Sequence, residues 1–232
     1  MVSIRNIEGW DKAMGRAKVL TYDTTQFKFT EVFANIFKIH PISRLHEAIL
    51  AKKHQQNGSA VELSYKDNRG LRDWLTQQAK DSWFYPVYFP FVTEVIVPFF
   101  YGHVSYAQHP RFRVHLAGGP SVSKWHRDTD ITGRFDQITA WVPAVDCSGT
   151  NALWVESDYG KRDYQPVTVK YGEVLLFDGG LYHGSVANET DVTRVGFDLR
   201  FAPLATRKDA DLGILSQRPA GFEATRIPGG RY

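Results

Sequence analysis

The spacing of hydrophobic residues changes part-way along the chain. In roughly the first hundred residues the apolar positions recur every three or four residues, which predicts helices over FTEVFANIFKI, PISRLHEAILAKKHQQNG and GLRDWLTQQAKD. The second of these has Pro41 in its first turn and Asn57-Gly58 at its end, both usual at such positions. After about residue 110, apolar and polar residues alternate instead, which predicts β-strands.

The clearest strands are RFRVHLAGG and TRVGFDLRF, each with one apolar and one polar face. Shorter β-rich runs, separated by Gly, Pro, Asn and Asp, lie between them: QITAWVPAV, TNALWV, VTVKYG and EVLLFDGG. Many short strands at this spacing predict a sandwich or barrel rather than alternating β-α-β units. The predicted fold class is therefore mainly β with flanking helices.

The polar faces of the two clearest strands carry Arg113, His115, Arg194 and Asp198. If the apolar faces pack on the N-terminal helices, these polar side chains point into the sandwich, where a ligand or water must satisfy them. The alternative is that the polar faces point to solvent, as is common for one face of an antiparallel sheet. The need of the helices for an apolar partner favours the first arrangement.

Composition and charge exclude several classes of protein. The 232 residues include 28 Lys+Arg and 25 Asp+Glu, a difference of 28 − 25 = +3, which is too small to predict a nucleic-acid or membrane partner. With 43% hydrophobic and 23% charged residues, the composition is that of a globular protein. Cys147 is the single cysteine, which excludes an intramolecular disulfide and a cysteine-rich zinc site and favours the reducing cytoplasm.

Two segments are candidates for membrane or targeting elements. The first twenty residues lack the basic and apolar runs of a signal peptide, so none is expected. The aromatic run 83–101 is long enough to cross a bilayer, but it contains Pro86, Pro90 and Pro98, which remove backbone hydrogen bonds that lipid cannot replace. We expect it to be a buried or pocket-lining aromatic segment.

The candidate chemistry begins with His126 and Asp128, whose spacing of two would place both side chains on the same face of a strand. His183 follows a strand at the other end of the β region and completes a set of two histidines and one carboxylate. Such a set binds Fe(II) and leaves three coordination positions open. Arg194, with Ser185, would hold the distal carboxylate of 2-oxoglutarate while its keto-acid end chelates the metal.

The segments WHRDTD, ITAWVPAVDCSGTNALWVESDYG, YGEVLLFDGGLYHGS and TRVGFDLR resemble the phytanoyl-CoA dioxygenase superfamily, and most of all its StrG-type branch of natural-product biosynthesis. The resemblance covers roughly residues 105–203. It implies a double-stranded β-helix (jelly roll, cupin-like) core, with N-terminal helices packed on one sheet. By position it carries the metal ligands onto His126, Asp128 and His183, and the 2-oxoglutarate clamp onto Arg194 with Ser185. It further implies co-substrate or substrate pocket positions for Gln137, Thr139 and Trp141, while Arg113 and His115 stay open as pocket groups or a solvent-facing pair.

We therefore expect one domain over residues 1–232, with a helical region over residues 1–104, a core over residues 105–203 and an irregular tail over residues 204–232. The resemblance implies an enzyme that uses Fe(II), 2-oxoglutarate and O2 to hydroxylate, desaturate or cyclise a small polar metabolite, with release of succinate and CO2. The expected partner is a small-molecule substrate, not nucleic acid or a membrane, in a monomer or homodimer.

Three other functions use related sites. A halogenase needs the carboxylate position empty, so Asp128 argues against it. A non-catalytic metal-binding jelly-roll module and a metal-dependent hydrolase or isomerase would both keep the triad, but neither needs a dicarboxylate anchor such as Arg194.

Overall fold

The computed structural model describes residues 4–5, 7, 16–58, 61–100, 104–134 and 137–203. The predicted tail 204–232 lies outside them. The helices of these ranges are α1 Phe29–Phe37, α2 Leu45–Asn57, α3 Tyr65–Gln78, α4 Phe84–Phe91 and α5 Asp128–Thr132. Their strands are β1 Ile4–Arg5, β2 Ala17–Thr21, β3 Val104–Tyr106, β4 Arg111–His115, β5 Ile138–Pro143, β6 Leu153–Val155, β7 Gln165–Val167, β8 Glu173–Asp178, β9 His183–Gly184 and β10 Arg194–Pro203.

The strands form two antiparallel sheets. The large sheet has the order β1-β2-β8-β5-β10, and the far side of the long strand β10 pairs with β4 and then β3. The small sheet has the order β7-β6-β9 and is extended by an isolated bridge between His126 and His183. Residues of both sheets line one internal cavity, so the sheets face each other without closing into a barrel.

The order in which the chain visits the two sheets makes the core a jelly roll. From β4 onward the chain passes to the His126 bridge in the small sheet, back to β5, then to β6 and β7, to β8, to β9 and finally to β10. The inner order of the large sheet is therefore β4-β10-β5-β8, facing His126-β9-β6-β7. Two interleaved antiparallel sheets of this kind are the double-stranded β-helix that the sequence resemblance implies.

The N-terminal helices cover the outer face of the large sheet through aromatic side chains. Phe29 of α1 lies 4.8 Å from Phe197, and Phe84 of α4 lies 4.7 Å from Phe112, measured between ring centroids. These contacts bury the apolar faces of β4 and β10. The opposite, polar faces point between the sheets, where His115 and Arg194 are almost completely buried. Packing against the helices, rather than contact with solvent, thus determines the direction in which the apolar and polar faces of β4 and β10 point.

The predicted helices are present, with shifted ends. α3 begins at Tyr65 instead of near Gly70, because Ser64 and Asp67 form a capping box that starts the helix earlier. A short 3-10 turn, Ile42–Arg44, precedes α2. Further 3-10 turns occupy Ala79–Asp81, Val97–Phe100 and Gly149–Asn151.

Two expectations about secondary structure were wrong. The N-terminal region, residues 1–104, is not purely helical, because β2 pairs with β8 and widens the large sheet. In the run VTVKYG only Val167 belongs to a strand, and β7 begins earlier, at Gln165. The aromatic run, for which no secondary structure was predicted, contains a helix: Pro90 lies inside α4, and a π-helical turn, Val92–Ile96, follows directly.

The aromatic run is only partly buried: Phe84, Tyr88 and Phe91 have no exposed surface, as predicted, whereas Trp83 and Phe89 are exposed. It packs beneath the large sheet and does not line either of the two cavities described below. Within the described ranges, no helix is both long and apolar enough to cross a bilayer.

Candidate metal centre and the cavities beside it

Two histidines from distant parts of the chain lie side by side between the sheets. His126 and His183 exchange two backbone hydrogen bonds, each with an N–O distance of 3.0 Å, and their ring centroids lie 4.3 Å apart. The Nδ1 of His126 lies 2.7 Å from the carbonyl of Lys124, and that of His183 lies 2.9 Å from the carbonyl of Leu181. Because a carbonyl can only accept, each Nδ1 carries the proton and each Nε2 keeps a free lone pair.

Asp128 reaches the same point from a different local structure than the sequence suggested. It is the first residue of α5, not a strand residue, so the predicted two-residue alternation with His126 was wrong. Arg127 between them is extended, with φ −109° and ψ 138°, and this keeps both side chains on the same side. The carboxylate is held by Thr139 Oγ1, which donates to Oδ2 at 2.5 Å, and by Arg200, which donates to Oδ1.

The three side chains form a donor set that fits one divalent ion. Asp128 Oδ1 lies 3.6 Å from His126 Nε2 and 3.9 Å from His183 Nε2, and one ligand atom from each residue lies within 4.8 Å of the others. Donors that share an ion at about 2.1 Å are about 3–4 Å apart. Two imidazoles and one carboxylate without a thiolate suit Fe(II).

The ionisation of the donors also suits a metal. Burial opposes the charge of Asp128, but the neighbouring side chains of His126, His183 and Arg200 together outweigh it, so the pKa of Asp128 lies well below its ordinary value. Burial lowers the pKa of His183 to about 4, against the opposing charge of Asp128. At neutral pH the set therefore contains a carboxylate and a neutral imidazole, the forms that bind metals.

Arg194 is a buried cation without an acidic partner. Its side chain is 2% exposed, and NH1 donates to the carbonyls of Asn151 and Ala152, both at 2.8 Å. Its Nε has no hydrogen-bond partner, and no carboxylate of the described residues pairs with it. Burial lowers the pKa of Arg194 to about 10, which leaves it charged at neutral pH. A buried, incompletely bonded guanidinium favours an anionic ligand.

The hydroxyl group of Ser185 already has several hydrogen-bond partners, unlike the Nε of Arg194. Its hydroxyl oxygen accepts hydrogen bonds from the backbone of Val122 at 3.1 Å and of Ser123 at 3.0 Å, and it lies 3.1 Å from Ser121 Oγ. In this structure Ser185 therefore holds the segment that leads to His126.

Most of the predicted site residues meet at one narrow cavity between the sheets, which we call the inner cavity. It is lined by Arg113, Ser123, His126, Thr139, Trp141, Leu153, Phe177, His183, Arg194 and Asp198. The Trp141 ring lies 5.5 Å from the guanidinium carbon of Arg194. His115 is buried on β4 opposite Arg194 but does not line this cavity.

A second, larger space of about 400 Å³ adjoins the first, and we call it the outer cavity. The two share Asp198 as a common wall, and Arg200, which binds Asp128, lines the outer one. Gln137 lies in the outer cavity, where its side-chain oxygen accepts a hydrogen bond from Thr132 at 2.8 Å.

Sequence reasoning missed the role of Arg200. The alternation in TRVGFDLRF already places it on the same face as Arg194 and Asp198, which is the signal that could have found it. Its contact with Asp128 depends on the position of α5 over the sheet, and strand periodicity does not contain that information.

The sequence matches known proteins over the β core. The family described as phytanoyl-CoA dioxygenase (PhyH) matches residues 153–196, a segment that contains His183, Ser185 and Arg194. The streptomycin biosynthesis protein StrG of Streptomyces griseus is 39% identical over 108 residues, which are 46% of this chain and 51% of StrG. The chain thus spans about half the length of this curated relative.

Solved structures show more distant likenesses. EctD from S. alaskensis, in its apo form, is 20% identical with a TM-score of 0.40, covering 48% of this chain and 49% of EctD. CytC3 with Fe(II) and alpha-ketoglutarate is 20% identical with a TM-score of 0.35, covering 44% of this chain and 45% of CytC3. Because these likenesses are distant, the fold is established by the strand order described above and not by these structures. The family match and the relative together confirm the predicted resemblance to the phytanoyl-CoA dioxygenase superfamily and its StrG-like branch.

Proposed function

We propose that the protein is an Fe(II)- and 2-oxoglutarate-dependent oxygenase that hydroxylates, desaturates or cyclises a small polar metabolite, with hydroxylation favoured. The observation that carries the proposal is Arg194, a buried cation without a described acidic partner in the cavity that contains His126 and His183. A non-catalytic metal module, or a hydrolase or isomerase on the same triad, would leave this charge without a ligand.

His126, Asp128 and His183 would hold the ion. When bound, Fe(II) with 2-oxoglutarate and O2 supplies the oxidation of a C–H bond, with release of succinate and CO2. Arg194 would bind the distal carboxylate of 2-oxoglutarate, assisted by Ser185.

The surrounding residues of this chain position and protect that chemistry. Thr139 and Arg200 fix the orientation of Asp128 and keep it ionised. The apolar side chains of Trp141, Leu153 and Phe177 narrow the inner cavity and limit access of water.

The relative and the composition also bear on the setting of the reaction. StrG is described as a streptomycin biosynthesis protein, and this supports a place for the present chain in natural-product biosynthesis. The single cysteine supports a cytoplasmic location. We propose a small-molecule substrate, no nucleic-acid partner, and a monomer or homodimer.

The test is succinate formation by the purified chain. Metal-free protein is loaded anaerobically with Fe(II) and 2-oxoglutarate, exposed to air with a panel of polar metabolites, and assayed for succinate. We expect Asp128→Asn and His183→Ala to reduce the rate at least about a hundredfold, because each removes a ligand. We expect Arg194→Gln to raise the 2-oxoglutarate concentration for half-maximal rate at least about tenfold, with a smaller effect on the maximal rate.

Arg44→Gln is the control for the arginine variant, since Arg44 is exposed and, among the residues that the structure describes, pairs only with Glu47. Circular dichroism confirms that each variant is folded. Succinate formation by Asp128→Asn at the parental rate, or an unchanged 2-oxoglutarate requirement in folded Arg194→Gln, would contradict the proposal.

A further inference from the structure

The outer cavity carries an excess of positive charge. Its wall contains Arg111, Arg134 and Arg200, with Asp198 as the acidic residue of the described lining. Its volume of about 400 Å³ lies in the range of small-molecule sites.

The negative charge of Asp198 is already neutralised from the side of the inner cavity. Arg113 binds it with two hydrogen bonds, Nε to Oδ1 at 2.7 Å and NH2 to Oδ2 at 3.1 Å. This bidentate pair is mostly buried, so it is weakly screened by solvent. Asp198 is therefore not free to neutralise Arg111 or Arg200 in the outer cavity.

Arg111 and Arg200 are the two cations best placed to bind a ligand. Arg111, on β4, has no hydrogen-bond or ion-pair partner among the residues that the structure describes, and the cavity leaves it exposed. Arg200, on β10, binds Asp128 through NH2, while its Nε is buried without a partner. An anion between them would satisfy both groups and would lie next to the ligand Asp128.

We propose that the outer cavity binds an anionic group of the substrate, a carboxylate or a phosphate, through Arg111 and Arg200. This inference rests on the proposed function, because it identifies the cavity as the place from which the substrate meets the metal centre. It narrows the substrate from a small polar metabolite to an acidic one.

The contact between Arg200 and Asp128 couples this site to the metal. Without an ion, Asp128 holds Arg200 by its full negative charge. A divalent ion at the triad takes over that charge, so Arg200 becomes available to an anion and the potential in the cavity becomes more positive. Anion binding should therefore be stronger in the metal-loaded protein than in the metal-free protein.

The first test measures binding without turnover. The protein, metal-free or loaded with Co(II) under nitrogen, is dialysed against labelled inorganic phosphate and, separately, labelled acetate. We expect affinity to rise at least about fivefold with Co(II), and to fall at least about tenfold in Arg111→Gln. Arg111 is exposed, so this variant should fold; Arg200→Gln should lose the dependence on Co(II).

Two controls separate this site from others. Arg44→Gln should bind both anions like the parent, because Arg44 does not line the outer cavity. Arg194→Gln should lose only anion binding in the inner cavity and should keep the component that depends on Arg111 and Co(II), because Arg194 lines the inner cavity and not the outer one. Anion binding that is unchanged in both Arg111→Gln and Arg200→Gln, as expected if the anion bound the metal alone, would overturn the inference.

The second test measures succinate with matched pairs of metabolites, such as a sugar and its phosphate, or an amino acid and its amide. We expect the anionic member to stimulate succinate formation at least about tenfold more, and Arg111→Glu to remove that preference. Equal stimulation by both members would overturn the inference while leaving the proposed function intact. Absence of succinate with any pair, together with Arg111-dependent phosphate binding, would overturn the proposed function and leave the anion site standing.

Discussion

His115 is a buried histidine, and neither of its ring nitrogens makes a hydrogen bond of normal geometry with the described residues. It lies on β4 opposite Arg194. Burial, followed by the charge of Arg194, lowers the pKa of His115 to about 3, whereas a histidine in an unfolded chain has a pKa of about 6.5. The folded protein therefore keeps the ring neutral in a pH range in which the unfolded chain protonates it.

This difference makes the free energy of unfolding depend on pH. Between about pH 6.5 and pH 3 the unfolded state binds a proton that the folded state refuses, so stability falls as the pH falls. In His115→Asn the side chain does not bind a proton, so this contribution to the pH dependence is absent. We expect urea titrations to show a loss of stability between pH 7 and pH 5 that is about 2 kcal/mol smaller in His115→Asn than in the parent. His54→Asn, on an exposed position of α2, is the control, and equal pH slopes in parent and His115→Asn would refute the prediction.

At the scale of elements, the backbone of β5 lies directly against Gly196 of β10. A Cβ atom there would lie 2.4 Å from the carbonyl oxygen of Val142 and 3.0 Å from the Cα of Pro143. Both contacts are with backbone of the neighbouring strand, which cannot move without disturbing the sheet. The glycine is thus required by strand packing, since φ there is not in the left-handed region.

We expect Gly196→Ala to lower the free energy of unfolding by about 3 kcal/mol, the cost of overpacking against rigid backbone. The matched control is Gly70→Ala in α3, where a Cβ would meet nothing within 4 Å and alanine should gain about 1 kcal/mol as the better helix former. Denaturant unfolding of the two variants measures the difference. If Gly196→Ala is as stable as Gly70→Ala, the close approach of the strands is wrong.

The elements differ in how far the sequence predicts them. β4 and β10 follow from alternation, because one face packs on aromatic helices and the other faces the cavity. The strand β2 was not predicted, because Val19 and Leu20 are both fully buried and AKVLT shows no alternation of apolar and polar residues. The helix α4 was not predicted, because its burial against Phe112 and Phe197 is a tertiary effect that local propensity does not include.

At the scale of the whole molecule, the candidate metal centre joins the two sheets. His126 and His183 belong to the small sheet, whereas Asp128 is held by Thr139 and Arg200 of the large one. An ion that binds all three ligands binds only the folded state, so it should stabilise the entire fold.

We expect Co(II) or Ni(II), at about a hundred times its dissociation constant, to stabilise the protein by about 2.7 kcal/mol and raise the melting temperature by about 5–10 °C. Chelator should reverse the shift. Asp128→Asn should show no shift, whereas Asp130→Ala, an exposed neighbour in α5, should behave like the parent. A shift of equal size in Asp128→Asn would exclude these three residues as the ion's ligands.

The ligands and Arg194 could be proposed from the sequence because their residue types and order are specific as a set. The set of residues that line the outer cavity could not be proposed from the sequence. Arg111 and Arg200 lie on strands that are distant in the chain, and they become neighbours only through the pairing of β4 and β3 along one side of β10. Which polar face residues share a cavity is decided by sheet register, not by periodicity.

The reciprocal backbone bonds between His126 and His183 fix the two imidazoles before any ion arrives. The receptor is therefore preorganised: ordering of these side chains accompanies folding and is not repeated when an ion enters or leaves. A stripped protein should keep its shape and accept a fresh ion in a single step, without refolding. Exchange of one metal for another then becomes a simple replacement, which makes spectroscopic substitutes for iron practical probes of this centre.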